Sequence, residues 1–383
     1  MTVTEISSKT ILLKHKKIDS WFLSRYGMNL YRGCAHNCSY CDGRAEGYRV
    51  EGEFGRDVTV KINAMDVLKR ELDPRRKRTS FKGGYMMVGG GVGDSYQPLE
   101  EKYLLTRGAL RLLLKFNHPA HILTKSTMVE RDLDIIERIA ARKGAVVSFS
   151  FSSADDGLGS IFEPGVPLPS ERLETISKCK ERGIPCGIFL LPVIPFLTDD
   201  ESHLDQCLKA AKDVDADFII FGGMTLKDGR QKEHFYDVLR ENAPDLVERY
   251  DGLYPGDRWG NAAGDYYDGI QKRFYGLAKD HGIPLRMPPH LYKGLLGVND
   301  TIIVILEHID YLLSLRGSRP TYGRAAYEIS KIEAPLGPKS DLSSIRGVGE
   351  RTREIIMEII ETGASKYYEK LIYGGGRQMS EGD

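Results

Sequence analysis

Cysteine is scarce in this chain, with six in 383 residues, and three of the six fall between positions 34 and 41. So few cysteines over this length exclude a disulfide-built extracellular scaffold, and three thiols in one short loop cannot all pair with one another. Long apolar runs are also missing. None approaches the roughly 18 residues of a membrane-spanning helix, and Met1-Thr2-Val3-Thr4-Glu5 lacks the charged-then-apolar pattern of a secretory leader. A cytoplasmic protein with no membrane partner is therefore expected. Charge bias is absent too: 54 Lys and Arg balance 54 Asp and Glu, for a net charge of zero. Any contact with nucleic acid has to come from a local patch, not from a basic whole. What remains is ordinary, with 41% hydrophobic and 28% charged residues, the composition of a globular chain able to bury a real core. The length allows two or three domains, although α/β barrels use about 200 residues or more as one.

The clustered cysteines lie in Gly33-Cys34-Ala35-His36-Asn37-Cys38-Ser39-Tyr40-Cys41-Asp42, a C-x3-C-x2-C spacing. Three thiolates can hold three irons of a 4Fe-4S cluster and leave the fourth iron without a protein ligand. An open iron is a place where a small molecule can chelate and accept an electron. A structural zinc is the competing reading. It needs a fourth ligand, and His36, inside the cysteine span, is badly placed to close a tetrahedron. Cys179, Cys186 and Cys207 are scattered through helix-like and strand-like segments and read as buried thiols.

Residues 1 to 20 are polar and basic and read as a solvated leading segment. Met28 to Tyr31 reads as a strand feeding the cysteine loop, and residues 44 to 57 as an irregular surface stretch. Ala64 to Leu72 has helical spacing and stops before Pro74; Arg75 to Arg78 is a small basic run. An alternation then sets in. Strands are expected at Tyr85 to Val88, His121 to Thr124, Ala145 to Ser150, Pro185 to Val193 and Phe218 to Gly222. Helices are expected at Leu99 to Phe116, Asp132 to Arg142, Ser170 to Arg182 and Glu201 to Asp213. Short apolar strands alternating with helices argue βαβ units around a parallel sheet. Counting the cysteine strand gives six repeats, too few for a closed eightfold barrel, so a partial (β/α)6 barrel is expected. Ligands of such sheets sit at the carboxyl ends of the strands. Ile302 to Leu315 is a further helix. Asp341 to Ile356 reads as helix, tight Gly347-Val348-Gly349 turn, helix, and the stretch from 374 as a disordered polar tail. The expected domains are residues 1–320, the barrel with a helical extension, and 321–383, a small all-α unit with its tail.

At the cysteine loop, Asn29-Leu30-Tyr31-Arg32-Gly33-Cys34 through Arg44 resembles the radical S-adenosylmethionine superfamily, in its spore photoproduct lyase-related branch. Gly93 to Glu100, Leu123-Thr124-Lys125-Ser126, Phe162-Glu163-Pro164 with Arg172, and Leu191 to Pro195 agree with it, so the resemblance spans roughly residues 10 to 230 of this chain. It implies that Cys34, Cys38 and Cys41 bind a 4Fe-4S cluster whose open iron is chelated by S-adenosyl-L-methionine. Reductive cleavage of that cofactor to a 5'-deoxyadenosyl radical, and hydrogen abstraction from a substrate, are the implied chemistry. A reducing partner of flavodoxin or ferredoxin type is implied as well. Carried over position by position, Tyr40 lies beside the adenine, and Gly89, Gly90 and Gly91 let backbone approach the methionyl amine. Lys125 and Asp94 serve the cofactor, Ser148 and Ser150 its ribose, and Ile188 packs on the adenine. The branch returns a hydrogen to its product from a cysteine, but residues 42–178 contain none here, which argues against thymine-dimer repair specifically. Tyr96, or Tyr85, is the candidate hydrogen donor, and Lys125 and Tyr96 are the candidate catalytic residues.

The tail resembles a helix-hairpin-helix motif. Its glycines Gly347 and Gly349 free backbone N–H groups for a phosphate, and Arg346 and Arg351 add positive charge. Glu350, Glu354, Glu358 and Glu361 oppose that charge. The leading reading is a radical enzyme acting on nucleic acid. Alternatives are the same chemistry on a protein or small metabolite, and a zinc-stabilised nucleic-acid-binding adaptor.

Overall fold

A computed structural model describes residues 2–48, 50–77, 80–89 and 92–373. Gly90, Gly91, Arg78 and the tail from 374 onward lie outside the described residues. The strands are β1 (Thr2–Ile6), β2 (Leu12–Asp19), β3 (Ser24–Met28), β4 (Tyr31–Arg32), β5 (Asp57–Lys61), β6 (Tyr85–Val88), β7 (Ala120–Thr124), β8 (Ala145–Phe151), β9 (Cys186–Val193) and β10 (Phe218–Gly223). The main sheet runs β10-β9-β8-β7-β6-β3-β2 and curls into a half-barrel. Its strands β3 and β6 through β10 are mutually parallel, six as the repeat count predicts, although the first lies at Ser24–Met28 and not at the expected Met28 to Tyr31. β2 adds an antiparallel edge beside β3. The smaller sheet, β1-β5-β4, is made by β4 and β5 from the connection between β3 and β6, with β1 added beside β5.

Helices α1 (Ala64–Leu72), α2 (Glu100–Tyr103), α3 (Leu105–Phe116), α4 (Leu133–Lys143), α5 (Asp156–Phe162), α6 (Pro169–Glu181) and α7 (Glu201–Asp213) connect and cover the strands. With helices on one face and a filled lumen on the other, β8 is buried at every residue. That is why its sequence, Ala145-Val146-Val147-Ser148-Phe149-Ser150-Phe151, is a near-continuous apolar run. Strand alternation sorts the two faces. Tyr85, His121, Ser148 and Phe189 meet inside the lumen, where His121 Nε2 and Ser148 Oγ are 2.7 Å apart. After the sheet come α8 (Arg230–Asn242), α9 (Val247–Leu253) and α10 (Tyr266–His281), then α11 (Val298–Leu315), α12 (Tyr322–Ile329), α13 (Glu350–Thr362) and α14 (Lys366–Ile372). Helix α11 is buried along most of its length, and α12, α13 and α14 pack around it.

Several expectations need correction. The leading segment is not a solvated arm but two strands. β2 escapes notice because it is an edge whose residues are mostly exposed, so polar side chains suit it. β5 was missed because it falls just after the irregular stretch, between Asp57 and the first expected helix. The helix expected at Leu99 to Phe116 breaks at Leu104, which adopts a left-handed φ of 53°. Buried Glu100 stabilises the break, accepting from the backbone N–H groups of Thr106 and Arg107 at 2.9 and 3.2 Å and so capping α3. The first helix of the expected hairpin does not form. Asp341 accepts from the N–H of Ser343 at 3.1 Å, a side-chain turn that competes with helix, and helical geometry starts only at Glu350.

Candidate active site

The cysteine loop leaves β4 at Arg32 and is tied down on every side. Gln97 is fully buried; its Oε1 accepts from Ala35 N at 3.0 Å and its Nε2 donates to Gly33 O at 3.2 Å. Gly33 itself has φ of 82°, and a Cβ there would meet Asp57 O at 2.7 Å, so the loop's first turn requires glycine. On the far side Ser39 N donates to Phe162 O at 2.8 Å, and Gly165 N to His36 O at 3.0 Å. Arg44 is buried over the Phe54 ring and donates to the carbonyls of Cys38, Asn37 and Phe54 at 3.2–3.3 Å. Gln231 of α8 donates to Tyr40 O at 2.9 Å, and Lys227 binds Asp42 at 2.8 Å.

Held this way, Cys34, Cys38 and Cys41 are all free thiols, and all three line one cavity of 410 Å³. Burial raises the Cys34 thiol to about 12 and pushes Cys38 and Cys41 up as well. A site that disfavours bare thiolates so strongly suits a group that brings its own positive charge. Among the described residues no three His, Cys, Asp or Glu side chains converge to hold a single metal ion. A mononuclear zinc needs that convergence, whereas a cuboidal iron-sulfur cluster asks each thiol to reach a different iron around a common space. The donor set fits the cluster.

The rest of the wall comes from the carboxyl ends of the parallel strands. Asp94 follows β6, Lys125 follows β7, Ser150 ends β8, Leu191 and Pro192 belong to β9, and Gly223 ends β10. Asp94 is largely buried, accepting from Lys125 N at 2.7 Å and Thr124 Oγ1 at 2.8 Å, and His36 Nε2 lies 3.4 Å from it. Lys125 Nζ stands 5.5 Å over the Tyr40 ring and donates to Glu163 Oε1 at 2.9 Å. Glu163 also accepts from the Tyr40 hydroxyl, from Ser152 Oγ at 3.0 Å, and from Arg172, whose guanidinium is wholly buried. Burial alone would raise the Glu163 carboxyl; Arg172, then Lys125, outweigh it and hold the group below the usual carboxylate range. Burial, then the Glu163 charge, pushes the Tyr40 phenol upward, which keeps it a donor.

The sequence-based site residues divide. The three cysteines, Tyr40, Asp94, Lys125 and Ser150 share the cavity, and Ser150 Oγ donates to Leu191 O at 3.0 Å. Gly89 lines the adjoining cavity; its φ is 84° and a Cβ would strike Leu123 O at 2.3 Å. Gly90 and Gly91 fall outside the described residues. Ser148 lies deeper, bonded to His121 and away from the cavity wall. Ile188 also misses the wall. Phe189 and Leu191 take the lumen face, and the two-residue period turns Ile188 toward the helices. Tyr96 is a correction as well: fully buried outside the cavity, it donates to Asp132 Oδ2 at 3.1 Å. Tyr85 likewise donates to Leu291 O and lines neither cavity. Gly347 has φ of 89° and Gly349 caps α13, with Arg346 exposed and Arg351 paired to Glu354 at 2.9 Å. Trp21 and Phe22, just after the leading segment, were given no role, yet both line the cavity. An aromatic pair between two strands was their only signal. Arg44 and Gln97, which hold the loop, fall in stretches that carry the resemblance but were assigned no role, and Gln231 gave no signal.

The family model for the radical SAM superfamily matches residues 28–208, from the end of β3 through most of α7. The chain belongs to the radical SAM superfamily. It is a radical SAM enzyme, and the family implies S-adenosylmethionine and a 4Fe-4S cluster. A helix-hairpin-helix domain model matches residues 298–365. An uncharacterized protein of Mycobacterium tuberculosis (strain H37Rv) is 32% identical over 288 residues, 73% of this chain and 82% of that protein. Another, of Methanocaldococcus jannaschii, is 29% identical over 227 residues, 59% of this chain and 79% of that protein. Among solved structures, a spore photoproduct lyase mutant with bound AdoMet and dinucleoside spore photoproduct superposes with a TM-score of 0.52. That likeness is at 16% identity, covering 73% of this chain and 79% of that one, and it speaks to fold. No helix among the described residues is long and apolar enough to cross a membrane.

Proposed function

We propose that this enzyme abstracts a hydrogen atom from a nucleic acid, in repair or modification, with Cys34, Cys38 and Cys41 holding three irons of the cluster. The observation that carries this reading is the convergence of those three buried thiols with Lys125, Tyr40 and Asp94 on one cavity at the strand ends. When bound, the cluster and S-adenosylmethionine supply a one-electron reduction and a hydrogen-abstracting carbon radical.

The chain's own residues place and shelter that chemistry. Lys125 offers Nζ to a carboxylate while Glu163 fixes its direction, and the Tyr40 ring beneath it forms a flat wall for a heterocycle. Leu123, Leu191, Pro192, Met224 and Val92 make much of the remaining lining apolar, which excludes water from a reactive intermediate. The helix-hairpin-helix match at residues 298–365 supports a nucleic-acid substrate, with Gly347, Gly349, Arg346 and Arg351 as the phosphate-facing turn.

The test is isotope transfer. Reconstituted, dithionite-reduced protein is given S-adenosylmethionine and deuterated nucleic acid, and deuterium is sought in the 5'-deoxyadenosine formed. Transfer supports the reading. 5'-Deoxyadenosine without deuterium from DNA or RNA moves the substrate to a protein or small metabolite, and no 5'-deoxyadenosine from iron-loaded protein overturns the radical chemistry.

A further inference from the structure

We infer that the turn joining β2 to β3 is a stacking platform that receives an unpaired nucleobase at the cysteine-lined cavity. The inference rests on the nucleic-acid reading above and names the residues that would meet the base. Trp21 and Phe22, at this turn, both line the 410 Å³ cavity. Phe22 also lines a neighbouring cavity of 370 Å³, and the two share Val92, Gly93 and Asp94 as well. Phe22 therefore stands where two lobes of one chamber meet. One lobe carries the thiols, Tyr40 and Lys125; the other carries His15, Asp19, Asn29 and Gly89. Two lobes give separate room for a cofactor and a second planar ligand. In the second lobe the Asn29 amide oxygen is buried without a hydrogen-bond partner, an acceptor suited to the N–H edge of a base.

The platform is built, not incidental. Asp19 Oδ1 accepts from the backbone N–H groups of Trp21 and Phe22 at 2.8 and 3.1 Å, closing the turn. The Phe22 ring stacks on Phe189 with centroids 5.0 Å apart and planes 10° apart, and its carbonyl lies 3.0 Å from His121 Nδ1. Behind Trp21 the buried Arg286 guanidinium lies 5.3 Å from the indole and 3.5 Å from the Tyr311 ring of α11, making a layered Tyr311–Arg286–Trp21 stack. His308 of α11 donates through Nε2 to Ser20 O at 2.8 Å, and Tyr368 of α14 donates to its Nδ1 at 2.7 Å. One neutral tautomer satisfies both bonds. The C-terminal helices α11 and α14 thus hold the turn that lines the cavity. A flat indole backed by a fixed cation and opening on a reaction cavity is how single-stranded or extruded bases are held, since every base offers a π-face.

The test uses the full-length, cluster-reconstituted protein. Trp259 is 62% exposed and is the only other tryptophan, so Trp259→Phe leaves Trp21 as the sole indole. Total binding of a single-stranded oligonucleotide is read by anisotropy of a labelled strand, and stacking by Trp21 emission with an unlabelled one. The expected result is quenching that tracks the anisotropy curve. Trp21→Ala should weaken binding about 10-fold and Trp21→Phe only a few-fold, the range of base–aromatic stacking, with unchanged circular dichroism. Anisotropy rising over unchanged Trp21 emission, or equal affinity in Trp21→Ala, overturns the platform and leaves the nucleic-acid reading standing. A fully paired duplex should quench only at higher concentration, since its base must first be unpaired and unstacked; quenching at the same concentrations as the single strand also overturns it. No anisotropy change with any nucleic acid removes the parent reading instead.

Discussion

Glu163 binds Lys125 with one carboxylate oxygen, at 2.9 Å, and Arg172 with the other. Glu163 and Arg172 are both essentially inaccessible to water, and Lys125 is largely buried. A carboxylate this deep is tolerable only because two basic side chains, the Tyr40 hydroxyl and Ser152 share it. The consequence reaches the cavity, since the same carboxylate orients both Lys125 and Tyr40 on its wall.

Replacing Glu163 with Gln should therefore cost about 3–5 kcal/mol, the range for leaving a buried charge without its partner. Urea unfolding of the metal-free chain measures it. A loss under about 1 kcal/mol would mean that water reaches Arg172 and that the network is not closed.

The loop's fitness for a cluster is testable without turnover. Anaerobic reconstitution should load about four irons per chain, and Cys34→Ala, Cys38→Ala or Cys41→Ala should each lose most of that iron and the visible absorption. Cys207→Ala should keep both, because Cys207 is a buried thiol on α7 that lines neither cavity. Equal iron in Cys38→Ala would place the cluster elsewhere.

The parts of this molecule legible in the sequence are those where one physical demand dominates. β8 and β9 are covered on both faces, so they declare themselves as apolar runs, and the six parallel strands follow from them. The cysteine spacing fits the ligand geometry of a cluster and is visible without any fold context. β2 was illegible because an edge strand exposes its side chains, and Trp21 and Phe22 were lost with it. The break at Leu104 depends on Glu100 reaching a helix end through space, a tertiary effect that local propensity cannot contain. Ile188 failed for a smaller reason: an apolar strand looks alike on both faces until the register is known.

The half-barrel and the C-terminal helices are joined by a buried ion pair. Arg25 of β3 donates through Nε to Asp300 of α11 at 2.8 Å, both side chains about 6% exposed, and reaches Lys16 O at 2.9 Å. Asp300→Ala should cost about 3–5 kcal/mol, and limited proteolysis should then release the C-terminal helices faster than from the parent chain. Unchanged stability and proteolysis would show that the helices dock by apolar contact alone.

Gly89 directly follows β6 with a left-handed φ of 84°, and its missing side chain makes room for Leu123 O. Alanine there meets both a strained backbone and a carbonyl at 2.3 Å, so Gly89→Ala should cost about 1–3 kcal/mol. It should also weaken S-adenosylmethionine binding by the reconstituted protein, measured calorimetrically. Binding and stability at parent levels would mean that the strand end yields freely.

Two buried histidines set the acid limit of the fold. Burial lowers His121 to about 4, and burial with the Arg286 charge lowers His308 to about 3. In the unfolded chain both titrate near 6.5, so on acidification the unfolded state takes up protons that the folded state refuses. The neutral-histidine stabilisation is complete above about pH 6.5 and is lost as pH falls toward 4 and 3. The full loss is about 3 kcal/mol for His121 and about 5 kcal/mol for His308, at 1.36 kcal/mol per unit. Urea unfolding between pH 7 and 4 should show stability falling with acid. His308→Gln should be shallower by about 1.4 kcal/mol per pH unit between about pH 6 and 4, since one fewer proton is taken up on unfolding. An identical slope would mean that His308 is already protonated in the folded protein, against the burial and the Arg286 charge that oppose a second positive charge there.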